Sequence, residues 1–292
     1  MSESAPDPST VHFGRDGMRR FSLLGAERSE LTQETAGQLE QTGVPLQVAF
    51  YFTAAGMTDG HTLALFAGHQ QIPVPHDDAG DWLRLGSDGP VQLCLRPDGA
   101  VQGVFLGIEQ PDMFVSSNVS TFNRSLAVLD RGLAEVAAAT DVPSAFSAFR
   151  ELNAELRQID PAAFAGRENW WPRVLDDVRH TLNFPFASTF EYQDDTGTSQ
   201  LVTEATGPGL AHPEELVWQK LSAAGVQPEQ VQRVYCELQP CMMPGHYCAA
   251  WMRATFPHAE FTHSFDYGDD AESREQGMKE LITYTAQRAG RG

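Results

Sequence analysis

The chain has 292 residues, more than a single domain usually contains, so two domains are expected. Hydrophobic residues make up 41% and charged residues 20%, a composition that excludes wholesale disorder. The formal net charge of −19 argues against a nucleic-acid binder of the usual kind, because affinity for a polyanion comes largely from Lys and Arg.

Three arrangements would reconcile this acidity with a nucleic-acid ligand. Local cations such as Arg233, Arg253 and Lys279 would have to line a cleft, the ligand would be a small nucleotide, or a basic partner would bind. Residues 1–11 are polar and acidic, and no run approaches the roughly eighteen apolar residues of a membrane span. Four cysteines are too few for a disulfide scaffold, so a cytoplasmic protein without membrane association is expected.

The first half of the chain has the pattern of an α+β domain. Short alternating apolar runs predict an antiparallel meander, and Asp-Gly pairs at 88–89 and 98–99 predict two of its hairpin turns. Apolar residues then recur at helical spacing. The predicted strands are 46–52, 82–86, 91–95 and 100–106, and the predicted helices are 121–139, 145–158 and 171–182.

Several short motifs of this half occur together in a characteristic order. They are Phe13-Gly14, Thr42-Gly43-Val44-Pro45, Leu85-Gly86, Pro97-Asp98-Gly99, the segment 114–118, Ile159-Asp160-Pro161 and Trp170-Trp171. In this order they resemble the SUKH superfamily of bacterial toxin-immunity proteins over residues 10 to 182. The resemblance implies a binding module that grips a toxin domain and has no chemistry of its own. Taken one at a time, the same glycines and prolines are ordinary turn residues.

The second half alternates strands and helices. Strands are predicted at 186–192, 200–205, 231–238 and 260–265, and helices at 249–256 and 272–287. Another helix opens with His212-Pro213-Glu214, where proline suits the first helical position and glutamates suit the positive end of the dipole.

Four residues of this half carry the pattern of a zinc deaminase. Such an enzyme needs three protein ligands with one open position on the ion, and a carboxylate that moves protons without binding the metal. The signature is H-x-E followed by P-C-x-x-C. His212, Cys241 and Cys248 are the predicted Zn²⁺ ligands, and Glu214 is the predicted general acid and base.

The spacing of the two cysteines departs from this signature. Six residues separate Cys241 from Cys248 instead of two, and on a straight helix seven steps would span about 10 Å. Both sulfurs bind one ion only if Pro244-Gly245 turns the insert back and lets the helix begin near Cys248. The run P-C-x-x-P-G-x-Y-C resembles the variant found in deaminase domains of bacterial polymorphic toxins.

Alternatives remain for individual residues. Cys241 and Cys248 would otherwise be small buried hydrophobes, and Cys236 or His246 would be a rival ligand. We expect Cys236 to be packed and His246 to be a solvent-facing loop residue. An aromatic face for a base is offered by Tyr247, Trp251, Phe265 and Tyr267, although core packing is the commoner fate of such residues.

The sequence thus predicts two domains, a SUKH-like α+β domain at 10–182 and an α/β domain at 184–292 with the cytidine deaminase-like three-layer fold. The leading hypothesis is hydrolytic deamination of a nucleobase, with cytosine favoured, in single-stranded DNA or RNA or in a nucleotide. One alternative is a toxin-binding immunity protein whose deaminase-like domain is inactive or regulatory. Another is a structural zinc domain in which His246 or Cys236 closes the coordination sphere.

Overall fold

The structure is a computed structural model that describes residues 7–23, 25, 28, 31–59, 61–207 and 209–289. Residues 1–6 of the predicted polar N-terminus lie outside this part of the chain. The chain divides into two compact units. The first comprises Met1–Glu135 and Ser147–Leu175, and the second comprises Val136–Phe146 and Asp176–Gly292. The predicted boundary between 182 and 184 stays a prediction.

The first unit is built on a six-stranded sheet in which every strand pairs antiparallel with its neighbour in sequence. Its strands are β3 (Gln47–Val48), β4 (Phe52–Ala54), β5 (Leu83–Asp88), β6 (Val91–Leu95), β7 (Val101–Phe105) and β8 (Met113–Ser116). A separate two-stranded sheet pairs β1 (Met18–Arg19) with β2 (Val44–Pro45). The predicted meander is confirmed for β5, β6 and β7.

Helices accompany this sheet. Phe122 packs edge-to-face on Phe52 with ring centroids 5.4 Å apart, and Trp170 donates a hydrogen bond of 2.7 Å from its indole nitrogen to Asp88. Both pairs join residues distant in sequence, which fixes helices against strands. The helices are α1 (Pro8–Phe13), α2 (Gln33–Gln41), α3 (Leu63–Gln70), α4 (Val119–Ala138), α5 (Val142–Ile159) and α6 (Trp170–Asn183). Each of the helices α4, α5 and α6 has some of its residues in the first unit and the rest in the second.

The predicted single strand over 46–52 is wrong. The chain forms two short strands there, β3 and β4, separated by a turn in which Ala49 has φ of 43°. The amide of Tyr51 donates to the carbonyl of Val48 at 3.1 Å, which closes the turn. Alternation of apolar residues suggested a continuous strand, but Phe50, which the alternation would bury, is 49% exposed.

The second unit contains a four-stranded sheet in the order β10-β9-β11-β12. β9 (Ala187–Gln193) pairs antiparallel with β10 (Ser199–Ala205) and with β11 (Val231–Leu238), whereas β12 (Glu260–Phe265) runs parallel to β11. A parallel neighbour needs a crossover connection, which the helix between β11 and β12 supplies. All four strands agree with the sequence prediction to within one residue at each end.

Three helices complete the second unit: α7 (Pro213–Ala223), α8 (Cys248–Thr255) and α9 (Ala271–Ala289). One face of the sheet is buried, because Phe190 and Val234 pair across strands and pack in a core with Val217 of α7 and with Phe256, which directly follows α8. Within the described residues, every helix of the chain is too short or too polar to traverse a lipid bilayer.

Candidate metal centre

Helix α7 begins beside the buried sheet face and places His212 at its N-cap. Pro213 occupies the first helical position, where its missing N–H costs no hydrogen bond. The backbone amide of His212 donates to Oε2 of Glu215 at 2.9 Å, which satisfies one of the free amides at the helix start. His212 and Glu214 are both buried, so the first turn of the helix points polar groups into the protein interior.

The insert between the cysteines folds back as the Pro-Gly pair predicts. Gly245 has φ of 82°, a left-handed conformation that glycine adopts readily, and the amides of His246 and Tyr247 both donate to the carbonyl of Met243. Helix α8 then begins at Cys248. The amide of Ala249 donates to the carbonyl of Cys241 at 3.0 Å, which holds the two ends of the insert together.

The imidazole of His212 and the two sulfurs converge. Nδ1 of His212 lies 3.5 Å from Sγ of Cys241 and 3.5 Å from Sγ of Cys248, and all three atoms lie within 4.8 Å of one another. A tetrahedral zinc with bonds of about 2.3 Å to sulfur and about 2.0–2.1 Å to nitrogen would hold N and S about 3.6 Å apart. The spacing and the donor types therefore fit a zinc ion.

The two thiols have opposite electrostatic tendencies. Burial acts to raise the pKa of Cys241, but a hydrogen bond with Cys248 and the charge of His212 bring that pKa well below its usual value. Burial and the neighbouring sulfur of Cys241 raise the pKa of Cys248. One thiolate is therefore favoured by the protein alone, and a divalent cation would favour loss of the second proton because metals bind the thiolate form.

Glu214 lies beside this group with half of its hydrogen-bonding capacity unused. Oε1 accepts from the hydroxyl of Ser188 at 2.8 Å, whereas Oε2 is buried without a partner among the described residues. A buried carboxylate oxygen left without a donor is costly, so its presence calls for a water, an ion or a ligand group there.

A cavity of about 10 Å³, close to the smallest volume that holds one water molecule, lies next to these groups. The residues that line it include His180, His212, Glu214, Cys241 and Tyr267. Nδ1 of His180 is 2.5 Å from the hydroxyl of Tyr267, and burial lowers the pKa of His180 to about 3, with the charge of Arg179 adding to the effect. His180 is therefore neutral, and its hydrogen bond holds Tyr267 over the cavity.

Asp177 connects the far side of His212 to a second histidine. Its Oδ1 lies 3.0 Å from Nε2 of His212 and its Oδ2 lies 3.2 Å from Nε2 of His246. Nδ1 of His246 is 2.6 Å from Oε2 of Glu215. Although burial acts to lower it, these two carboxylates raise the pKa of His246 to about 9. Burial opposes ionisation of Asp177, but the two histidines hold its pKa well below the usual value.

Several sequence expectations about this region are corrected. His246 is buried at 5% exposure and is not a solvent-facing loop residue, because Asp177 and Glu215 pair with both of its ring nitrogens. Among the described residues, neither His246 nor Cys236 joins the group formed by His212 and the two other cysteines. Burial and the charge of Glu214 instead raise the pKa of Cys236, which packs as a thiol.

The expected cations and most of the expected aromatic residues do not reach the cavity. Its lining contains no Lys or Arg among the described residues, and Arg233 is paired with Glu191 and Glu260. Tyr267 lines the cavity, whereas Trp251 packs against Phe256 in the core. Of the four aromatic residues named from the sequence, the lining includes Tyr267 and not Tyr247, Trp251 or Phe265.

Sequence reasoning missed the residues that surround the centre from other elements. Asp177 and His180 lie on α6, within the range predicted for the first domain, and no metal-binding motif includes them. Ser188 lies on β9, opposite Cys236 in strand register. A weak signal existed for Glu215, which forms an H-x-E-E run with the predicted motif.

Comparison with protein families assigns the two halves of the chain to two different families. Residues 11–177, more than half of the chain, match the family described as SUKH-4 immunity protein. The chain belongs to the SUKH-4 immunity protein family. Residues 185–284 match the family described as Xanthomonas-like deaminase, which gives this family member a deaminase domain after its immunity domain. Both resemblances predicted from sequence motifs are thus confirmed.

The deaminase match covers most of the residues that form the centre. His212, Glu214, Cys241 and Cys248 lie inside it, whereas Asp177 and His180 precede it. Searches of curated proteins and of solved structures found no match to the chain.

Proposed function

We propose that the deaminase domain is a zinc-dependent hydrolytic deaminase of a nucleobase, with cytosine favoured, in a nucleic acid or a nucleotide. The proposal rests on one observation: His212, Cys241 and Cys248 converge at zinc-ligand spacing beside Glu214, whose buried Oε2 has no protein partner among the described residues. A deaminase-family domain supports the reaction class.

His212, Cys241 and Cys248 would hold the zinc through Nδ1 and two thiolates. When bound with three protein ligands, zinc lowers the pKa of water to near neutrality. Two thiolates and one imidazole would leave the ion able to bind a water molecule as well. His212 and Cys241 both line the cavity, so the cavity would supply the space for that water.

Glu214 is the proposed proton carrier. Its free Oε2 takes one proton from the attacking water and delivers it to the ring nitrogen, and then takes the second proton from the added hydroxyl and delivers it to the leaving amine. The overall change replaces a C–NH₂ bond of the amidine with C=O, consumes water and releases ammonia. Ser188 holds Oε1 at 2.8 Å, so the carboxylate keeps Oε2 toward the cavity while it gains and loses the proton.

Cavity size and charge bear on the substrate. A volume of about 10 Å³ is smaller than any nucleobase, so substrate entry requires movement of lining side chains such as Phe186 or Tyr267. A pyrimidine requires less movement than a purine, which favours cytosine. Because the lining lacks Lys and Arg among the described residues, phosphates would have to bind outside this cavity or be contacted by backbone amides.

We also propose the cytidine deaminase-like three-layer α/β/α fold for this domain. Support comes from the strand order, with β12 parallel to β11, and from the metal-ligand positions at the starts of α7 and α8. Leu201 and Tyr235 on the other sheet face are 69% and 37% exposed, which counts against a helical layer covering that part of the sheet.

For the immunity domain we propose a toxin protein as partner, as its family description suggests. The formal net charge of −19 suits a basic partner, because opposite charges speed and direct association. The same charge and the small cavity favour a second candidate function, in which the deaminase domain is inactive or regulatory and the whole chain neutralises a toxin.

Zinc content and base conversion test the proposal together. Purified full chain would be analysed by mass spectrometry for zinc, then incubated with single-stranded and double-stranded DNA, RNA and free nucleosides and read by sequencing or chromatography. Glu214→Gln preserves side-chain size and is the matched inactive control, expected to lower kcat by about 10²–10⁴-fold. Glu229→Gln changes an exposed glutamate that is not part of the cavity lining, and it controls for loss of one acidic group.

The expected result is one zinc per chain and cytosine deamination that Glu214→Gln abolishes. Zinc binding without reaction on any of these substrates would favour the second candidate function, in which the chain neutralises a toxin and the deaminase domain is inactive or regulatory. Absence of zinc from protein prepared and refolded with zinc would reject the proposed metal centre altogether.

A further inference from the structure

The two ring nitrogens of His212 have different partners. Nδ1 faces the sulfurs of Cys241 and Cys248, and Nε2 faces Oδ1 of Asp177 at 3.0 Å. A carboxylate accepts hydrogen bonds, so Nε2 carries a proton, and whenever the ring is neutral its lone pair is on Nδ1, which faces the sulfurs. Asp177 therefore selects the only neutral tautomer of His212 that can bind a metal at Nδ1.

Asp177 is itself held by the insert between the cysteines. Its Oδ2 accepts from Nε2 of His246 at 3.2 Å, and Nδ1 of His246 donates to Oε2 of Glu215 at 2.6 Å. The same Oε2 accepts from the backbone amide of His212 at 2.9 Å. These four residues form a closed ring of hydrogen bonds, which we call the His212 ring: Asp177, His212, Glu215 and His246.

We propose that Asp177 and His246 are positioning residues for the metal centre, which fix the tautomer and the orientation of His212 so that Nδ1 points at the ion. The inference rests on the proposed zinc function. It also assigns a role to the six-residue insert between the cysteines, because the turn at Gly245 places His246 in the protein interior. Hydrogen-bond partners of this kind, which do not bind the ion themselves, raise the affinity for the metal because they restrict the orientation of the imidazole.

Packing supports this assignment. The rings of His212 and His246 stack with centroids 3.8 Å apart and planes inclined by 9°. Each ring is thus restrained from rotating by the face of the other, while Asp177 bridges their Nε2 atoms along one side. All three side chains are almost fully buried, so water does not compete for these hydrogen bonds.

Asp177, His212 and His246 also place their ligand atoms within 4.8 Å, so a second metal site is the rival explanation. The stacked rings argue against it. An ion bound to an imidazole lies in the plane of that ring, and one ion cannot lie in two nearly parallel planes that are stacked face to face. The distances of 3.0 and 3.2 Å from Nε2 to carboxylate oxygen are those of direct hydrogen bonds.

The test compares zinc affinity in the full chain. Asp177→Asn and His246→Gln remove one member of the ring each, and each has a matched control on the same unit. Asp176→Asn changes the neighbouring carboxylate, which pairs with Arg179, and His263→Gln changes a histidine that pairs with Asp266. Zinc dissociation constants come from chelator competition, and metal stoichiometry comes from mass spectrometry.

Two spectroscopic measurements separate positioning from general damage. In the zinc-loaded protein, ¹H–¹⁵N NMR of the imidazoles reports which nitrogen of His212 carries the proton. Cobalt(II) replaces zinc as a probe, because its thiolate-to-metal charge-transfer band counts bound sulfurs. Circular dichroism at saturating zinc establishes that each variant is folded.

We expect Asp177→Asn and His246→Gln to weaken zinc binding by about 10–100-fold, with both sulfurs still bound and the Nε2–H signal of His212 weakened or exchanging. The two controls should stay within about twofold of the wild type. Stoichiometry should be one ion per chain in every protein.

Three results would overturn the inference. Unchanged zinc affinity in both ring variants would remove the positioning role, and failure of both variants to fold at saturating zinc would reduce the ring to a purely structural one. Loss of one of two bound ions in the variants would make the cluster a metal site of its own. If the wild type binds no zinc, the proposed function fails as well, so the two failures are distinguishable.

Discussion

Both units bury cysteines, yet only one unit gives them partners that alter their chemistry. Cys94 lies on β6 of the immunity domain, and burial raises its pKa to about 12, so it behaves as a small hydrophobic residue. In the deaminase domain, Cys241 and Cys248 are equally buried but face each other and His212. Burial alone makes a thiol inert, whereas the neighbours of Cys241 and Cys248 give these two thiols the arrangement of a candidate metal site.

Buried carboxylates show the same contrast. Asp160 of the immunity domain accepts three hydrogen bonds of 2.7 Å, from the hydroxyl of Ser116 and from the amide and hydroxyl of Ser117. Glu214 of the deaminase domain accepts one from Ser188 and keeps Oε2 without a partner among the described residues. A fully paired carboxylate stabilises its domain, whereas a half-paired one is held ready for a ligand or a proton.

The largest expected effect breaks the cysteine contrast. Cys248→Ser should weaken zinc binding by more than about 100-fold, beyond the upper end for residues outside the ligand shell, because one ligand is lost. Cys94→Ser, the matched buried cysteine, should leave zinc affinity unchanged. Chelator competition measures both, and equal affinities for the two variants would contradict the ligand assignment.

The second largest expected effect concerns the buried carboxylate of Asp160 in the immunity domain. Asp160→Asn replaces an acceptor oxygen with a donor that faces the Ser116 and Ser117 groups, and should destabilise this domain by about 2–3 kcal/mol. Hydrogen–deuterium exchange of its peptides measures the change, and zinc affinity should not move. Asp98→Asn, which loses an exposed pair with Arg96, should cost less than about 1 kcal/mol. If Asp160→Asn and Asp98→Asn lowered the free energy of unfolding by similar amounts, the buried carboxylate would not have the stabilising role described here.

A smaller effect concerns pH. The pKa of His180 is about 3 in the folded protein because of burial, whereas an unfolded histidine has a pKa of about 6.5. Between these values the unfolded chain binds the extra proton, so stability falls as pH falls. From pH 7 to pH 5 the wild-type deaminase domain should lose about 2 kcal/mol more than His180→Gln. Peptide hydrogen exchange at both pH values checks this, and parallel losses in the two proteins would contradict it.

The smallest expected effect sharpens the role of Glu214. Ser188→Ala removes the hydrogen bond to Oε1 and frees the carboxylate to rotate, which should lower kcat about fivefold, or about 1 kcal/mol. Thr189→Ala, on the next residue of β9 and bonded to Thr203 on the exposed face, is the control and should keep the wild-type kcat. If Ser188→Ala had the wild-type kcat, the hydrogen bond from Ser188 would have no role in orienting Glu214 for proton transfer.

Local pattern was enough to predict much of the deaminase domain. The strands over 231–238 and 260–265 have the predicted bounds, and the turn at Pro244–Gly245 brings Cys248 to a helix start. These features depend on residues close in sequence. The strand predicted over 46–52 failed because Ala49 takes a left-handed conformation, which alternation of apolar residues does not reveal.

The surroundings of the candidate metal centre could not be predicted from local pattern. Asp177 is 35 positions before His212 and belongs to a helix whose spacing shows only amphipathicity. His246 has the sequence context of a loop tip, and only a buried carboxylate pair explains why it lies inside. Both residues depend on contacts between elements, which no motif of this chain encodes.

Oε2 of Glu215 serves two structures at once, since it accepts from the amide of His212 at the start of α7 and from the imidazole of His246. Fraying of the first turn of α7 would therefore release His246, and under the proposed function it would also weaken metal binding. By linkage, an ion at 100 times its dissociation constant adds about 2.7 kcal/mol to the folded state, and part of that gain should appear as slower amide exchange in this turn. If the proposed ion is bound, its removal by a chelator should loosen the start of α7, because metal binding and the order of this turn would then be coupled.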